Sequence, residues 1–93
     1  MVIDPWRRTC TRNGVAVGLT AREFAVLETL VRRAPGLVSK QQLLDVVWGM
    51  EFDGDPNIVE VYVGYVRRKL ASTGDPAPVI TTVRGEGYRI GDG

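Results

Sequence analysis

The sequence contains no histidine, and it has a single cysteine, Cys10. Histidine is the commonest general base and the commonest zinc ligand, so its absence removes the most frequent routes to a catalytic or zinc site. One cysteine allows neither an internal disulfide nor a multi-cysteine metal site, and we expect Cys10 to be a small buried hydrophobic residue. Paired carboxylates in a catalytic arrangement are also missing. We therefore expect a protein that is not an enzyme and that holds no metal and no cofactor.

Long apolar runs are absent, and neither sign of charge is in excess. No apolar stretch approaches the ~20 residues of a membrane span, and residues 1–5 lack the features of a secretory signal, so we expect a cytoplasmic protein with no membrane partner. Twelve lysines and arginines stand against eleven acidic residues, which gives a net charge of +1. Nucleic-acid-binding domains are usually more basic, so such a function requires cations gathered on one surface.

The 93 residues, of which 44% are hydrophobic and 25% charged, are typical of one soluble domain spanning residues 1–93. Asn13-Gly14, between residues 7–12 and 15–19, supplies the positive φ angles of a type I′ turn and predicts a β-hairpin. A second hairpin is predicted where the β-branched residues 79–83 and the strand 88–90 flank the glycine-rich residues 84–87.

Three helices are predicted between the hairpins. Capping boxes at Thr20/Glu23 and Ser39/Gln42 predict a helix over residues 21–33 and a shorter one that ends at Gly49. Asp55 as N-cap and Pro56 as first helical residue predict a third helix from there to about Leu70, with residues 72–76 ending it.

The third helix has two contrasting faces. Its core-facing stripe consists of four apolar residues at i, i+4, i+7 and i+11, namely Val59, Val63, Val66 and Leu70. The opposite face, called the outward face below, consists of Asn57, Val61, Gly64, Tyr65 and Arg68. Arginine can bond guanine edges, asparagine adenine edges, and valine can meet a thymine methyl, so this mixture suits a major groove. An ordinary solvated surface with one helix-weakening glycine is the alternative.

Further cations flank this face. In Arg67-Arg68-Lys69 we expect Arg67 to face a phosphate, Arg68 a base edge and Lys69 the solvent, although complementing the helix dipole is an alternative role. Arg84, at the tip of the last hairpin, can enter a narrow minor groove. Gly85-Glu86-Gly87 is not a dinucleotide-binding motif, because no helix follows it.

Five segments together resemble the OmpR/PhoB family of response-regulator effector domains. They are residues 19–24, 39–44, 47–49, 66–70 and 82–89, and the resemblance extends from about Ile3 to Ile90. It implies an α+β winged helix-turn-helix fold, in which an N-terminal antiparallel sheet, truncated at its first strand in this sequence, precedes three helices and a C-terminal hairpin wing.

By resemblance, the third helix enters the major groove and the wing reaches the adjacent minor groove. Val61 and Tyr65 then face bases, with Asn57 or Ile58 near the start of the helix, and Arg84 is the wing residue. The residues that would line phosphates are Trp48, Tyr62, Arg67, Thr82 and Tyr88. Relatives often carry arginines at the positions of Gly64 and Tyr65 and a cation at that of Asn57, so we expect a phosphate contact to be lost here, and the base preference stays open.

The resemblance also implies partners. Family members usually bind direct repeats of double-stranded DNA as tandem homodimers, and residues 50–54 resemble the segment that meets RNA polymerase. Without a receiver domain, the sequence corresponds to one part of such a regulator. We expect the DNA-binding output domain of a two-component transcription regulator; the alternative is a winged-helix protein-interaction module that has lost its DNA face.

Overall fold

The computed structural model describes residues 1–74 and 79–91. The strands are β1 (Val2–Asp4), β2 (Thr9–Arg12), β3 (Val15–Val17), β4 (Ile80–Val83) and β5 (Gly87–Ile90). The helices are α1 (Ala21–Arg33), α2 (Lys40–Leu43), which continues as a π-helical segment over Leu44–Trp48, and α3 (Ile58–Ala71). The predicted order of hairpin, three helices and hairpin is confirmed, with β1 added in front.

The N-terminal sheet is antiparallel in the order β1-β2-β3. Asn13 and Gly14 have φ angles of 55° and 76°, so the predicted hairpin turn is confirmed. Cys10 is 3% exposed, as expected for a small buried residue, and burial raises the pKa of its thiol above the ordinary 9.0. Arg12, also buried, donates to the carbonyl oxygen of Leu70 at 2.9 Å and so ties the sheet to the end of α3.

Both predicted capping boxes form. In α1, Thr20 Oγ1 accepts from the Glu23 N–H at 3.2 Å and the Glu23 carboxylate accepts from the Thr20 N–H at 2.8 Å. Ser39 and Gln42 make the same reciprocal pair at the start of α2. Gly49, at φ 97°, ends the second helical segment as predicted.

The predicted start of the third helix was wrong by two residues. The Asp55 carboxylate accepts the Asn57 N–H at 2.9 Å, but residues 55–57 form a turn before the helix. The Ile58 N–H reaches back three residues to the Asp55 carbonyl, which is tighter than α-helical spacing, and α3 begins only at Ile58. It ends at Ala71, with a turn over residues 72–74; Asp75 and Pro76, also predicted to break the helix, lie outside the described residues.

The predicted core stripe of α3 is confirmed. Its four residues, Val59, Val63, Val66 and Leu70, are at most 1% exposed and pack in one cluster with α1 and α2. Burying each such side chain stabilises the fold by about 1.5–3 kcal/mol relative to exposure. The packing fixes the rotation of α3 and therefore turns its opposite face outward.

Lys69 is not left to solvent, contrary to expectation. Its Nζ lies 2.6 Å from the carboxylate of Glu23, so the last turn of α3 is joined to the N-terminal capping box of α1. Burial on its own raises the pKa of Glu23, but the hydrogen bonds from Lys69 and Thr20 outweigh it and hold that pKa below the ordinary 4.5. The side chains of residues 67, 68 and 69 point in different directions around the helix, and that of Lys69 meets the carboxylate of Glu23, 46 residues away in the sequence.

The C-terminal hairpin of β4 and β5, called the wing below, is held from two sides. Backbone hydrogen bonds of 2.8 and 2.9 Å join Val38 to Tyr88, and Gly87 packs against the carbonyl group of Val38. On the other side, Arg67 Nε donates to the Ile80 carbonyl oxygen at 3.0 Å, and its guanidinium also donates to Thr82 Oγ1. The wing is therefore fixed relative to α3.

None of the helices formed by the described residues is both long and apolar enough to cross a membrane.

Candidate nucleic-acid interface

The outward face of α3 lies outside the core, as predicted. Val61 and Tyr65 are 43% and 40% exposed, and Asn57 and Arg68 are also exposed. A Cβ added at Gly64 would meet no atom within 4 Å, so nothing inside the described chain requires glycine there. This face has the width of a helix, which a major groove of about 12 Å admits.

A series of ring contacts orders the side chains at one edge of this face. Trp48 packs edge-on against Tyr62 with ring centroids 5.2 Å apart, and Tyr62 packs against Tyr65 at 5.5 Å. The Arg68 guanidinium lies 5.6 Å from the centre of the Tyr65 ring, within cation–π range. Tyr65 and Arg68, expected to face bases, are thus held in place before any partner binds.

Ile58, Trp48 and Tyr62 are half-buried beside the outward face. An open depression of about 520 Å³ contains all three together with Asn57 and Val61. The structure therefore brings these five predicted site residues together.

Arg22 also lines this depression, and sequence reasoning missed it. It belongs to α1, and its guanidinium lies 5.3 Å from the centre of the Trp48 ring. Its position inside a capping box gave only a helix-start signal, and nothing local links it to Trp48, 26 residues away.

Two residues predicted to contact phosphates, Arg67 and Thr82, already have hydrogen-bond partners within the domain. Arg67 is half-buried and binds the β4 backbone and Thr82, so its guanidinium is already used to hold the wing. Thr82 is exposed, but its hydroxyl accepts that hydrogen bond. Both residues border the interface, and their phosphate contacts stay predictions.

Tyr88 departs most from its predicted place on the surface. It is 5% exposed and belongs to the core cluster, because its backbone pairs with Val38 and draws the ring inward. Burial raises the pKa of its hydroxyl above the ordinary 10.0, and the nearby Glu60 carboxylate raises it further. Only an edge of Tyr88 reaches the surface, in the depression beside the wing.

That second depression, of about 430 Å³, lies between the start of α2, α3 and the wing. Arg84 is exposed at the wing tip and lines it together with Glu60 of α3, so the wing tip lies beside α3 as predicted. Lys40 of α2 forms an ion pair with Glu60 at 2.8 Å, and the hydrogen bond that Lys40 donates to the Glu60 carboxylate raises the pKa of Lys40. Neither Lys40 nor Glu60 was identified from the sequence.

Cations border both sides of α3 despite the net charge of only +1. Arg22 and Arg68 lie at the aromatic edge, and Lys40 and Arg84 lie near the wing. Among the acids, Glu23 is buried against Lys69, and Glu28 pairs with Arg32 on α1. The segregation of charge that a nucleic-acid interface requires is therefore present in part, with Asp55, Glu60 and Glu86 as acidic exceptions.

No group of three or more His, Cys, Asp or Glu side chains arranged to hold a metal ion occurs within residues 1–74 and 79–91.

A three-stranded sheet, a helix-turn-helix with an exposed third helix, and a hairpin fixed beside that helix define a winged helix-turn-helix domain. Residues 14–90 match the family described as "Transcriptional regulatory protein, C terminal". The chain belongs to this family, the C-terminal DNA-binding domains of response regulators of the OmpR/PhoB type.

Curated relatives agree with this assignment. The chain is 47% identical over 86 residues to the transcriptional regulatory protein PrrA of Mycobacterium tuberculosis, covering 92% of this chain and 36% of PrrA. It is 41% identical over 88 residues to the response regulator MprA of Mycobacterium sp. strain KMS, covering 95% of this chain and 38% of MprA. The chain thus spans less than two fifths of the length of these relatives.

Solved structures agree on the fold. The DNA-binding domain of Klebsiella pneumoniae RstA, in complex with the RstA box, superposes with a TM-score of 0.81 at 33% identity, covering 95% of this chain and 87% of that one. The DNA-binding domain of Bacillus subtilis CssR superposes with a TM-score of 0.81 at 26% identity, covering 97% and 98%.

Proposed function

We propose that this domain binds double-stranded DNA by inserting α3 into the major groove and the wing into the adjacent minor groove, as the output domain of a two-component transcription regulator. The observation that carries the proposal is the outward face of α3, which the core leaves exposed beside Arg84. The RstA domain, a relative by structure, was solved with its DNA box, which supports the same partner for this chain.

Each residue has a role in this proposal, and the geometry supports these roles. Val61, Tyr65 and Arg68 face base edges, and Asn57 lies at the start of the recognition helix. Trp48 and Tyr62 lie at the edge of the outward face where the aromatic rings contact each other, and they face one phosphate strand. Because both side chains are half-buried, only part of each ring is available for this contact. Ile58 packs against the hydrophobic core and positions the start of α3.

Besides DNA, we propose two further partners for the whole regulator. We propose that two copies bind direct repeats as a tandem homodimer in the cytoplasm, and that residues 50–54 meet RNA polymerase. In this segment the Phe52 ring lies 6.4 Å from the Trp48 ring and packs against the domain, whereas Met50 is 88% exposed and available to a partner.

Selection of bound sequences from a random duplex pool tests the proposal, followed by a salt titration on the selected duplex. We expect one enriched motif, repeated at a fixed spacing, and an affinity whose logarithm falls with log salt by about 0.9 per phosphate contact. No enrichment together with no salt dependence would contradict DNA binding and favour a protein-interaction module.

Arg84→Ala tests the wing. The change should weaken binding to the selected duplex by about 1–3 kcal/mol, the cost of a lost groove contact. Arg7→Ala is the matched control, because it removes the same charge from an exposed position before β2, next to Asp4. Equal affinities of the two variants would show that the wing assignment is wrong.

Tyr65→Ala tests base recognition by α3. It should change the selected sequence more than the affinity for random DNA, because Tyr65 faces bases and orders Arg68. Tyr65→Phe, which retains the ring contacts, is the control and should keep most of the preference. Equal losses on selected and random duplexes would mean that Tyr65 touches only the DNA backbone.

A further inference from the structure

Arg22 is an exposed arginine near the start of α1 whose only described interaction is with an aromatic ring. Its guanidinium carbon lies 5.3 Å from the centre of the Trp48 ring. In the described part of the chain, no carboxylate lies within salt-bridge distance of Arg22; the neighbouring Glu23 is turned inward to Lys69. The charge of Arg22 is therefore not neutralised within the described chain.

The contact with Trp48 leaves the binding capacity of Arg22 intact. A cation–π contact uses no hydrogen-bond donor, and within the described residues the Arg22 guanidinium donates no hydrogen bond, so its N–H groups remain able to donate. These donors form a planar fork that matches two oxygens of a phosphate. Trp48 is itself held by Tyr62 at 5.2 Å and Phe52 at 6.4 Å, so it offers a fixed platform.

The position of this pair relative to α3 determines which ligand it can meet. Arg22 and Trp48 line one open depression with Asn57 and Val61, so they border the outward face near the start of α3. Arg84 and the wing border α3 through a different depression, at Glu60. A duplex that holds α3 in its major groove presents a phosphate strand on each side of the helix.

The acidic residue in this depression, Asp55, does not pair with Arg22. Asp55 lines the same depression, but its carboxylate accepts the backbone N–H of Asn57 at 2.9 Å and so belongs to the turn before α3.

We propose that Arg22 binds a backbone phosphate of the DNA strand that borders α3 on the side of Trp48, and that Trp48 holds the guanidinium in position for this contact. This inference rests on the proposed function and extends it: α1 becomes a further DNA-binding element beside α3, the wing and the segment that carries Trp48. The contact is independent of base sequence, so it adds affinity without adding preference.

Arg22→Ala tests the proposal, with Arg33→Ala as the matched control. Both variants remove one positive charge from an exposed arginine of α1, at opposite ends of the helix. Binding is measured on the selected duplex and on an unrelated duplex of about 30 base pairs over a series of salt concentrations. Arg22→Ala should lower the affinity for both duplexes by the same factor, about three- to tenfold, and reduce the salt slope by about 0.9. Arg33→Ala should leave the slope unchanged.

Arg22→Lys separates the effect of the guanidinium fork from the effect of the charge. Lysine keeps the positive charge but lacks the planar fork, so the salt slope should remain near that of the parent chain while affinity falls between the parent and Arg22→Ala. A thermal unfolding midpoint for each variant shows that the domain is intact.

Each other outcome contradicts the inference in its own way. Equal losses for Arg22→Ala and Arg33→Ala would show an effect of net charge alone. A loss confined to the selected duplex would make Arg22 a base-reading residue instead of a phosphate contact. Arg22→Ala binding like the parent chain would overturn this inference alone, whereas a parent chain that binds neither duplex would overturn the proposed function.

Discussion

Replacing Gly87 by alanine should detach the wing from the rest of the domain. Gly87 has a φ angle of 140°, a backbone conformation that residues with a side chain rarely adopt. An added Cβ would overlap the carbonyl oxygen of Val38 and come within 2.8 Å of Ser39 Cα. Both neighbours are backbone atoms and cannot rotate away, so the wing itself must move.

The magnitude follows from what this movement breaks. The strained backbone costs about 1–3 kcal/mol. The two hydrogen bonds between Val38 and Tyr88, at 2.8 and 2.9 Å, open as well, at about 1 kcal/mol each. We expect the free energy of unfolding to fall by about 3–5 kcal/mol, a large part of the ~5–15 kcal/mol that stabilises a typical domain.

Gly85→Ala is a control in the same hairpin. Gly85 also has a positive φ, 77°, but an added Cβ there would meet no atom within 4 Å. Only the left-handed backbone opposes alanine, at about 1–2 kcal/mol. Because alanine has to adopt a positive φ in both variants, the difference between them arises mainly from the contact of Gly87 with Val38.

Urea unfolding followed by tryptophan fluorescence measures both variants. Trp6 is 96% exposed, so the signal should come mainly from Trp48, which packs on Tyr62. Gly87→Ala should also weaken duplex binding more than Gly85→Ala, because Arg84 loses its fixed position. Unfolding free energies of the two variants within about 1 kcal/mol of each other would refute the reasoning, since the close approach to Val38 would then carry no cost.

Two further changes test other parts of the structure. Glu23→Gln should lower the unfolding free energy at pH 7 by about 1–3 kcal/mol, because Lys69 loses its charged partner. Since the pKa of Glu23 is held below 4.5, its contribution is fully present above that pH and is lost as the pH falls through the lowered value, so parent and variant should converge at low pH in urea unfolding. A difference that stays constant with pH would contradict this. Gly64→Ala should stabilise the free domain by about 0.5–1 kcal/mol and weaken duplex binding, because its methyl group projects from the outward face; unchanged affinity would show that no partner comes close at this position.

Local sequence signals determined most of the secondary structure. A capping box satisfies backbone N–H groups within four residues, so Thr20/Glu23 and Ser39/Gln42 fixed the starts of α1 and α2 without help from the rest of the chain. The Asn13-Gly14 turn depends only on the φ angles that its two residues tolerate. The apolar spacing that begins at Val59 likewise determined which side of α3 is buried, and hence which side is exposed.

Signals of the same kind misplaced the start of α3. Asp55 and Pro56 are favourable at a helix N-terminus, yet here they form a turn that precedes it. The Asp55 side chain bonds the N–H two residues on, and the backbone bonds of residues 58 and 59 span three residues. A helix that begins at Pro56 and a turn followed by a helix that begins at Ile58 satisfy the same local preferences. The two helix starts differ by two residues, which is within the range over which sequence signals cannot place a helix end.

The partners of charged and aromatic side chains were decided only by tertiary structure. Lys69 meets Glu23 across 46 residues, and Arg67 meets Ile80 on another element. Helix geometry shows that neighbouring residues diverge, but the direction in which each finds a partner depends on how α1 and the wing pack around α3. Tyr88 was drawn into the core by backbone pairing with Val38, and Arg22 was brought onto Trp48 by the same packing. The sequence alone therefore determined the elements and the exposed face of α3, whereas long-range packing decided which cations remain available to a partner.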